Sequence, residues 1–312
     1  MAGWAAWQVY VPVTPPANAS LLLHSGYSTR RIASELKQAG AIRSELAFRL
    51  WHRLHRKMSL KAGEYRFDRP ATVVEVHDRI VRGDICFHVV TIPEGYTIFD
   101  IAKLIEESGL GTAQDFLQVV RTHTQLIADL APEAQSLEGY LFPNTYEFTR
   151  TQSLEEMAAE MVHQFRLVAQ QEGLSSGVHR MVTMASIVEK ETAVPEERPL
   201  VASVYYNRLR RRMLLGADPT VIYAELLTGT YTGSLHHADL SVESPYNTYR
   251  FAGLPPGPIG NPGQSSLAAA MHPAATKFLY FVSDGNGHHR FARSLEEHNR
   301  NVAAYRHARD PH

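Results

Sequence analysis

The sequence predicts an α+β fold in which a small α+β module precedes a larger mixed α+β domain. Three observations predict it. Between Ser28 and Glu107 the residue patterns run helix, helix, strand, helix, strand, helix, with short breaks between them. After Pro132 the composition shifts to aromatic stretches, long amphipathic helices and a proline-rich loop. The chain has 312 residues, 44% of them apolar, enough to bury more than one core.

The first residues, 1–13 (MAGWAAWQVYVPV), are apolar and followed closely by Pro15 and Pro16. They are too few for a bilayer span, which needs roughly 20 residues, and they lack the basic flank and cleavage site of a signal peptide. Two readings stand: an apolar N-terminal strand, or the interfacial end of a membrane helix, where tryptophan and tyrosine collect. The second makes residues 1–20 a truncated membrane-proximal segment.

From Ser28 to Lys37 the spacing is helical, with Ile32, Ala33, Leu36 and Ala39 repeating at three and four, and Gly40 stops it. A second helix is expected from Ser44 to His55, with Leu46, Leu50, Trp51 and Leu54 as its apolar face and Arg43, Arg49, Arg53, Arg56 and Lys57 as a basic, solvated one. Lys61 to Phe67 reads as a short strand. Thr72 then caps a helix through Val81 that Gly83 ends. Ile85 to Ile92 alternates and is rich in β-branched residues, so it reads as a strand. Thr97 caps a helix over Ile98–Glu107, and Thr112 opens another over Ala113–Arg121. Gly26-Tyr27-Ser28 and Gly95-Tyr96-Thr97 introduce similar helices, a hint of a repeated small module that binds glycan. Residues 21–125 form this module and 126–312 the larger domain.

Leu137 to Phe148 (LEGYLFPNTYEF) is dense in aromatic residues with polar ones between. Flat apolar faces edged by carboxylates and amides suit a sugar-binding cleft; the competing reading is a core strand. Ser153 to Gln171 is an amphipathic helix whose stripe of Leu154, Met157, Ala158, Met161, Phe165 and Val168 faces the core. A further helix follows Pro199, from Leu200 to Met213. Asp218-Pro219 reads as an N-cap with proline at the first helical position of a helix through Leu227. Ser244 to Gly263 is a long loop with five prolines, and loops of this length in compact domains are usually functional. A short helix over Ser265–Met271 follows. Lys277–Val282 and His289–Phe291 make a hairpin around Asp284-Gly285-Asn286-Gly287, and Ser294 with Glu297 opens the last helix, through Arg306.

Met181 to Thr192 holds the candidate chemistry. Met184, Ile187, Val188 and Glu191 share a helical face, whereas Glu189 points elsewhere. Pro195 disfavours helical geometry at Val194, placing Glu191 in the last turn. Apolar neighbours and the negative end of the helix dipole both favour a protonated carboxyl there, and an acid kept protonated near neutral pH can donate to a leaving group. The alternative is a solvated Glu-Lys-Glu helix end.

Other chemistries lack support. With 31 basic and 32 acidic residues the net charge is −1, which gives no field for nucleic acid. Cys86 is the single cysteine, so disulfide frameworks and cysteine-based clusters are excluded. The 16 histidines are scattered, pairs such as His236-His237 and His288-His289 lack ligand spacing, and no metal or cofactor is expected. There is no phosphate-cradling glycine loop and no nucleophile elbow. Carboxylates among aromatics remain: Glu138, Glu147, Glu189 and Glu191. They favour cleavage of a glycosidic bond, as a hydrolase if two act and as a lytic enzyme if one does.

The segments LEGYLFPNTY (137–146), ASIVEKET (185–192), VYYNRL (204–209), DPTVIY (218–223), SPYNTY (244–249) and GLPPGPI (253–259) occur in register and together closely resemble the endolytic murein transglycosylases, the YceG-like family. The resemblance runs from about residue 26 to the C-terminus. It implies cleavage of peptidoglycan glycan strands between MurNAc and GlcNAc, leaving 1,6-anhydro-MurNAc ends and terminating strand elongation. It maps the essential glutamate onto Glu191, and it implies a LysM-like module ahead of the catalytic domain. The implied partners are glycan strands, cell-wall synthases and the inner membrane through an N-terminal anchor, with the catalytic domain facing the periplasm. Glu138, Tyr140, Asn144, Tyr146, Asn207, Asn247 and Tyr249 are the expected substrate contacts, with Glu138 either a second catalytic carboxylate or an orienting partner. A muramidase-type hydrolase using Glu191 and Glu138, or a non-catalytic glycan-binding scaffold, are the competing functions.

Overall fold

The computed structural model describes residues 2–17, 19–55 and 57–309; Met1 and Arg56 lie outside them. It is an α+β chain that divides into two compact units, residues 1–90 with 146–153, and residues 91–145 with 154–312. The helices expected over Ile98–Glu107 and Ala113–Arg121 thus belong to the second unit rather than to the small module.

In the first unit the segment after Met1 is helical, α1 (Ala2–Tyr10), not a strand. Among the described residues no helix is long and apolar enough to cross a membrane. A strand not anticipated from the pattern, β1 (Ala19–Leu23), pairs antiparallel with β2 (Gly63–Phe67). Helices α2 (Thr29–Gln38), α3 (Glu45–Leu54) and α4 (Val73–Arg82) are each opened by a side-chain cap, from Ser28, Ser44 and Thr72. Each such cap is worth about 1 kcal/mol. They enclose a core of Leu23, Leu36, Phe48, Tyr65 and Ile80.

The expected inner face of α3 is largely outside. Leu46, Leu50 and Leu54 are 53%, 51% and 79% exposed, while Ala47 and Phe48 are buried. The helix carries apolar residues on two faces, and the face with Phe48 is the one that fits against the β1–β2 core. Among the residues expected to be basic and solvated, Arg43 instead donates to the carbonyls of Val11 and Pro12 at 2.7 and 2.6 Å.

The strand expected over Ile85–Ile92 is shorter, β3 (His88–Thr91), because Cys86 N–H turns aside to the Glu64 carbonyl at 2.7 Å. β3 pairs with β4 (Thr145–Phe148).

The second unit holds α5 (Ile98–Glu107), α6 (Ala113–Thr122), α7 (Leu154–Gln171), α8 (Val178–Glu191), α9 (Arg198–Arg210), α10 (Asp218–Thr228), α11 (Gln264–Met271), the hairpin of β5 (Tyr280–Ser283) and β6 (His289–Ala292), and α12 (Leu295–Arg309). Its centre is α8, every residue of which from Val182 to Val188 is buried. Small residues let neighbours approach: Gly139 (φ +88°) stands where a Cβ would lie 2.5 Å from Pro258 and 2.8 Å from Val182. The proline-rich loop is bonded into this core rather than projecting from it. Ile259 N–H donates to Ser186 Oγ at 3.0 Å, and Asn261 exchanges backbone hydrogen bonds with Gly95 and Tyr96, both at 2.8 Å.

Candidate active site

Helix α8 runs buried for most of its length and ends at Glu191, beyond which Thr192 is extended. The apolar run Met184, Ile187 and Val188 pins the helix inside the unit, so its last side chain is delivered to a fixed place. There the Glu191 carboxyl meets Tyr205 of α9, whose hydroxyl donates to Oε1 at 2.6 Å. Tyr205 is itself buried and rests edge-on against Phe281 of β5, ring centroids 6.0 Å apart.

Glu191 is half-buried and opens on a cavity of about 390 Å³, whose wall also includes Tyr205, Arg208, Asp218, Tyr249 and Tyr280. Burial pushes the Glu191 carboxyl up to about 7, with the charge of Asp218 adding to the rise; the Tyr205 hydrogen bond and the charges of His289 and Arg208 oppose it. Burial and the carboxylate of Glu191 likewise hold Tyr205 well above the usual phenol range, so its hydroxyl keeps its proton and stays a donor.

Asp218 is not the N-cap that its Asp-Pro pair suggests. Ala217 occupies the cap, and Asp218 is the first helical residue of α10. Its carboxylate is therefore released from capping and accepts the Tyr249 hydroxyl at 2.5 Å on the cavity wall. Burial and the bond to Asp218 raise the Tyr249 phenol. Arg208 also lines the cavity, donating to the carbonyls of Leu279 and Leu215 at 2.7 and 2.5 Å. Gly216, with φ +54°, leaves room beside Tyr249, whose ring would lie 3.4 Å from a Cβ there.

The neighbouring Glu189 has a different place. It accepts from Arg198 at 2.7 Å and from Gly263 N–H at 2.9 Å, so it ties α8 to α9 and to the start of α11. Glu138, expected on the cleft wall, is 2% exposed. It takes Ile98 N–H and the Asn261 amide, each at 3.0 Å, and Tyr223 hydrogen-bonds it as well. Burial raises its carboxyl to about 8, against these bonds. It is a junction inside the unit and does not face Glu191's cavity.

The other expected contacts divide similarly. Tyr140 is fully buried, its hydroxyl 2.8 Å from His179 Nδ1. Asn207 donates to the carbonyls of Thr276 and Phe278 at 3.1 and 2.7 Å. Asn247 donates to those of Leu240 and Val242 at 2.9 and 2.7 Å, and its Oδ1 accepts Tyr249 N–H at 3.0 Å. Tyr146 is buried in the first unit, stacked on Phe148. Asn144 is exposed at the start of β4, its Oδ1 accepting Thr145 N–H at 2.8 Å. Of the seven expected contacts, only Tyr249 lines the cavity with Glu191. The aromatic 137–148 stretch is core instead of cleft, with Leu137, Tyr140, Leu141 and Phe148 all inaccessible.

Tyr205, Arg208, Asp218 and Tyr280 line the wall although the sequence pattern does not single them out. Tyr205 and Asp218 stood inside VYYNRL and DPTVIY, but nothing in their spacing shows that they converge on Glu191.

Fold and cavity together define a two-unit α+β protein with a cavity lined by a glutamic acid, its tyrosine donor and a second carboxylate. Within that class, the chain belongs to the YceG-like family, whose model matches residues 21–304. It is 33% identical over 302 residues to the endolytic murein transglycosylase of Bacillus subtilis strain 168, covering 90% of this chain and 83% of that one. It is 30% identical over 318 residues to the endolytic murein transglycosylase of Streptococcus pneumoniae strain D39, covering 90% of this chain and 57% of that one. Its structure is similar to the crystal structure of a yceG-like protein from Listeria monocytogenes, with a TM-score of 0.59 at 33% identity, over 90% of this chain and 97% of that one.

Proposed function

We propose that this chain is a lytic murein transglycosylase, cleaving glycan strands of peptidoglycan at the MurNAc–GlcNAc β-1,4 bond with Glu191 as its general acid and base. The observation that carries the reading is the Glu191 carboxyl at the end of α8, raised to about 7 and held by Tyr205 on the wall of a cavity. Names of the relatives supply the polymer, murein.

Glu191 gives its proton to the glycosidic oxygen, and the C1–O bond breaks with its electron pair leaving on that oxygen. The C6 hydroxyl oxygen of MurNAc then bonds to C1, and its proton returns to the Glu191 carboxylate. The products are a free GlcNAc 4-hydroxyl and a 1,6-anhydro-MurNAc end, with no water consumed. Tyr249, Tyr280 and Phe281 offer aromatic surface for the sugar rings. Cleavage of nascent strands would terminate their elongation. A murein substrate is consistent with work on the cell-wall side of the inner membrane, beside the cell-wall synthases. The LysM-like module expected over residues 21–125 would hold the strand.

Purified peptidoglycan digested with the protein and examined by mass spectrometry tests this. Anhydro-ended fragments support the lytic reaction; fragments heavier by one water show a hydrolase, and strand binding without any product shows a scaffold. The inaccessible Glu138 speaks against the two-carboxylate hydrolase that pairs it with Glu191.

A further inference from the structure

The mechanism above uses one carboxylate, yet the cavity wall carries two. Their settings differ. Glu191 sits partly buried at the C-terminal end of α8, and Asp218 sits exposed in the first turn of α10. The Tyr249 hydroxyl donates to Asp218 Oδ1 at 2.5 Å and fixes the direction of that carboxyl on the cavity wall. Among the described residues Asp218 has no ion-pair partner to neutralise it. Two carboxyl groups held in different settings on one cavity wall can divide the work, one as acid and the other as electrostatic support.

We infer that Asp218 is a catalytic residue of this cavity: a carboxylate, oriented by Tyr249, that stabilises the positive charge developing at C1 and the ring oxygen of the sugar undergoing cleavage. The inference rests on the proposed glycan cleavage. No bond to Asp218 forms and no proton moves to it, so the atoms balance as before. Tyr249 acts through Asp218 and is a positioning residue. This assigns to DPTVIY and SPYNTY one shared task, since each contributes one partner of the pair.

The test compares Asp218→Asn, Asp218→Glu and Tyr249→Phe with the wild type on purified peptidoglycan, following anhydro-ended product against pH. Removing one group that stabilises transition-state charge costs on the order of 100-fold in kcat. Asp218→Asn should lose about that much with KM changed less than about threefold. Tyr249→Phe should lose roughly tenfold, and Asp218→Glu should recover part of the Asn loss. A second readout separates this from a structural role. Tyr205, Tyr249, Asp218, Arg208 and His289 are the titratable or charged groups that act on Glu191. Taking away the negative one among them lowers the pH at which Glu191 loses its proton, so the alkaline limb of kcat/KM moves down in Asp218→Asn. Wild-type kcat in Asp218→Asn overturns the inference, as does a loss of kcat that comes with a lowered Tm and an unmoved limb. A wild-type protein that releases no anhydro-ended product overturns the proposed function and this inference with it, whereas an active wild type with an equally active Asp218→Asn overturns the inference alone.

Discussion

The Tyr205 hydroxyl and the Glu191 carboxyl, fourteen residues apart on consecutive long helices, meet at 2.6 Å. The contact aims the acid. It also separates Glu191 from Glu189, which faces Arg198 from the same helix end.

Glu191→Gln should reduce release of anhydro-ended fragments by at least about 10³-fold, the upper part of the range for loss of a general acid. The amide still accepts the Tyr205 hydrogen bond, so circular dichroism should be unchanged. Appreciable turnover in a folded variant would remove Glu191 from its assigned role.

Activity should fall as pH rises through about 7, because Glu191 must begin the reaction protonated and its carboxyl is raised to about 7. Tyr205→Phe removes a hydrogen bond that favours the charged form, so Glu191 should hold its proton to higher pH and the alkaline limb should move upward. Loss of aim should lower kcat roughly tenfold at the same time. A pH–rate profile for both proteins checks the two signs together, and an unmoved limb would show that Tyr205 does not act on the acid.

Glu138→Ala should destabilise the second unit by about 3 kcal/mol, since Ile98 N–H and the Asn261 amide lose a buried acceptor. With its carboxyl raised to about 8 in the folded protein from 4.5, the folded state holds this proton more tightly. Its contribution is fully present below pH 4.5 and is lost as pH rises through about 8. Glu138→Gln, which is always neutral, should therefore show a smaller fall in Tm between pH 5 and pH 8 than the wild type in scanning calorimetry. An equal fall in both would refute the buried proton.

Glu197→Ala should loosen the β5–β6 hairpin. Glu197 accepts His289 N–H at 3.0 Å and lies 2.7 and 3.2 Å from the Nδ1 atoms of His289 and His288. Burial pushes the Glu197 carboxyl up, but these bonds outweigh it and leave it lowered. Since Phe281 of β5 borders the cavity, KM for glycan should rise several-fold. Unchanged KM with a lowered Tm would confine the interaction to stability.

By itself the sequence determined most of the helices and where they begin, because caps and periodic apolar residues are local. Thr72 and Thr97 each cap the helix expected of them, and the helices expected from Ser28 and Ser44 begin there. It also determined that Glu191 ends an apolar helix, since Pro195 lies four residues on. Periodicity says which side chains share a face but not what that face meets, and so α3 turned Phe48 inward and left Leu50 outside. Only the tertiary structure decided which polar groups are spent on the fold and which remain for chemistry. Glu138 is satisfied by Asn261, 123 residues away, while Asp218 is turned to the cavity by Tyr249, 31 residues away. A buried carboxylate needs donors, and the chain supplies them from segments whose meeting no local pattern records.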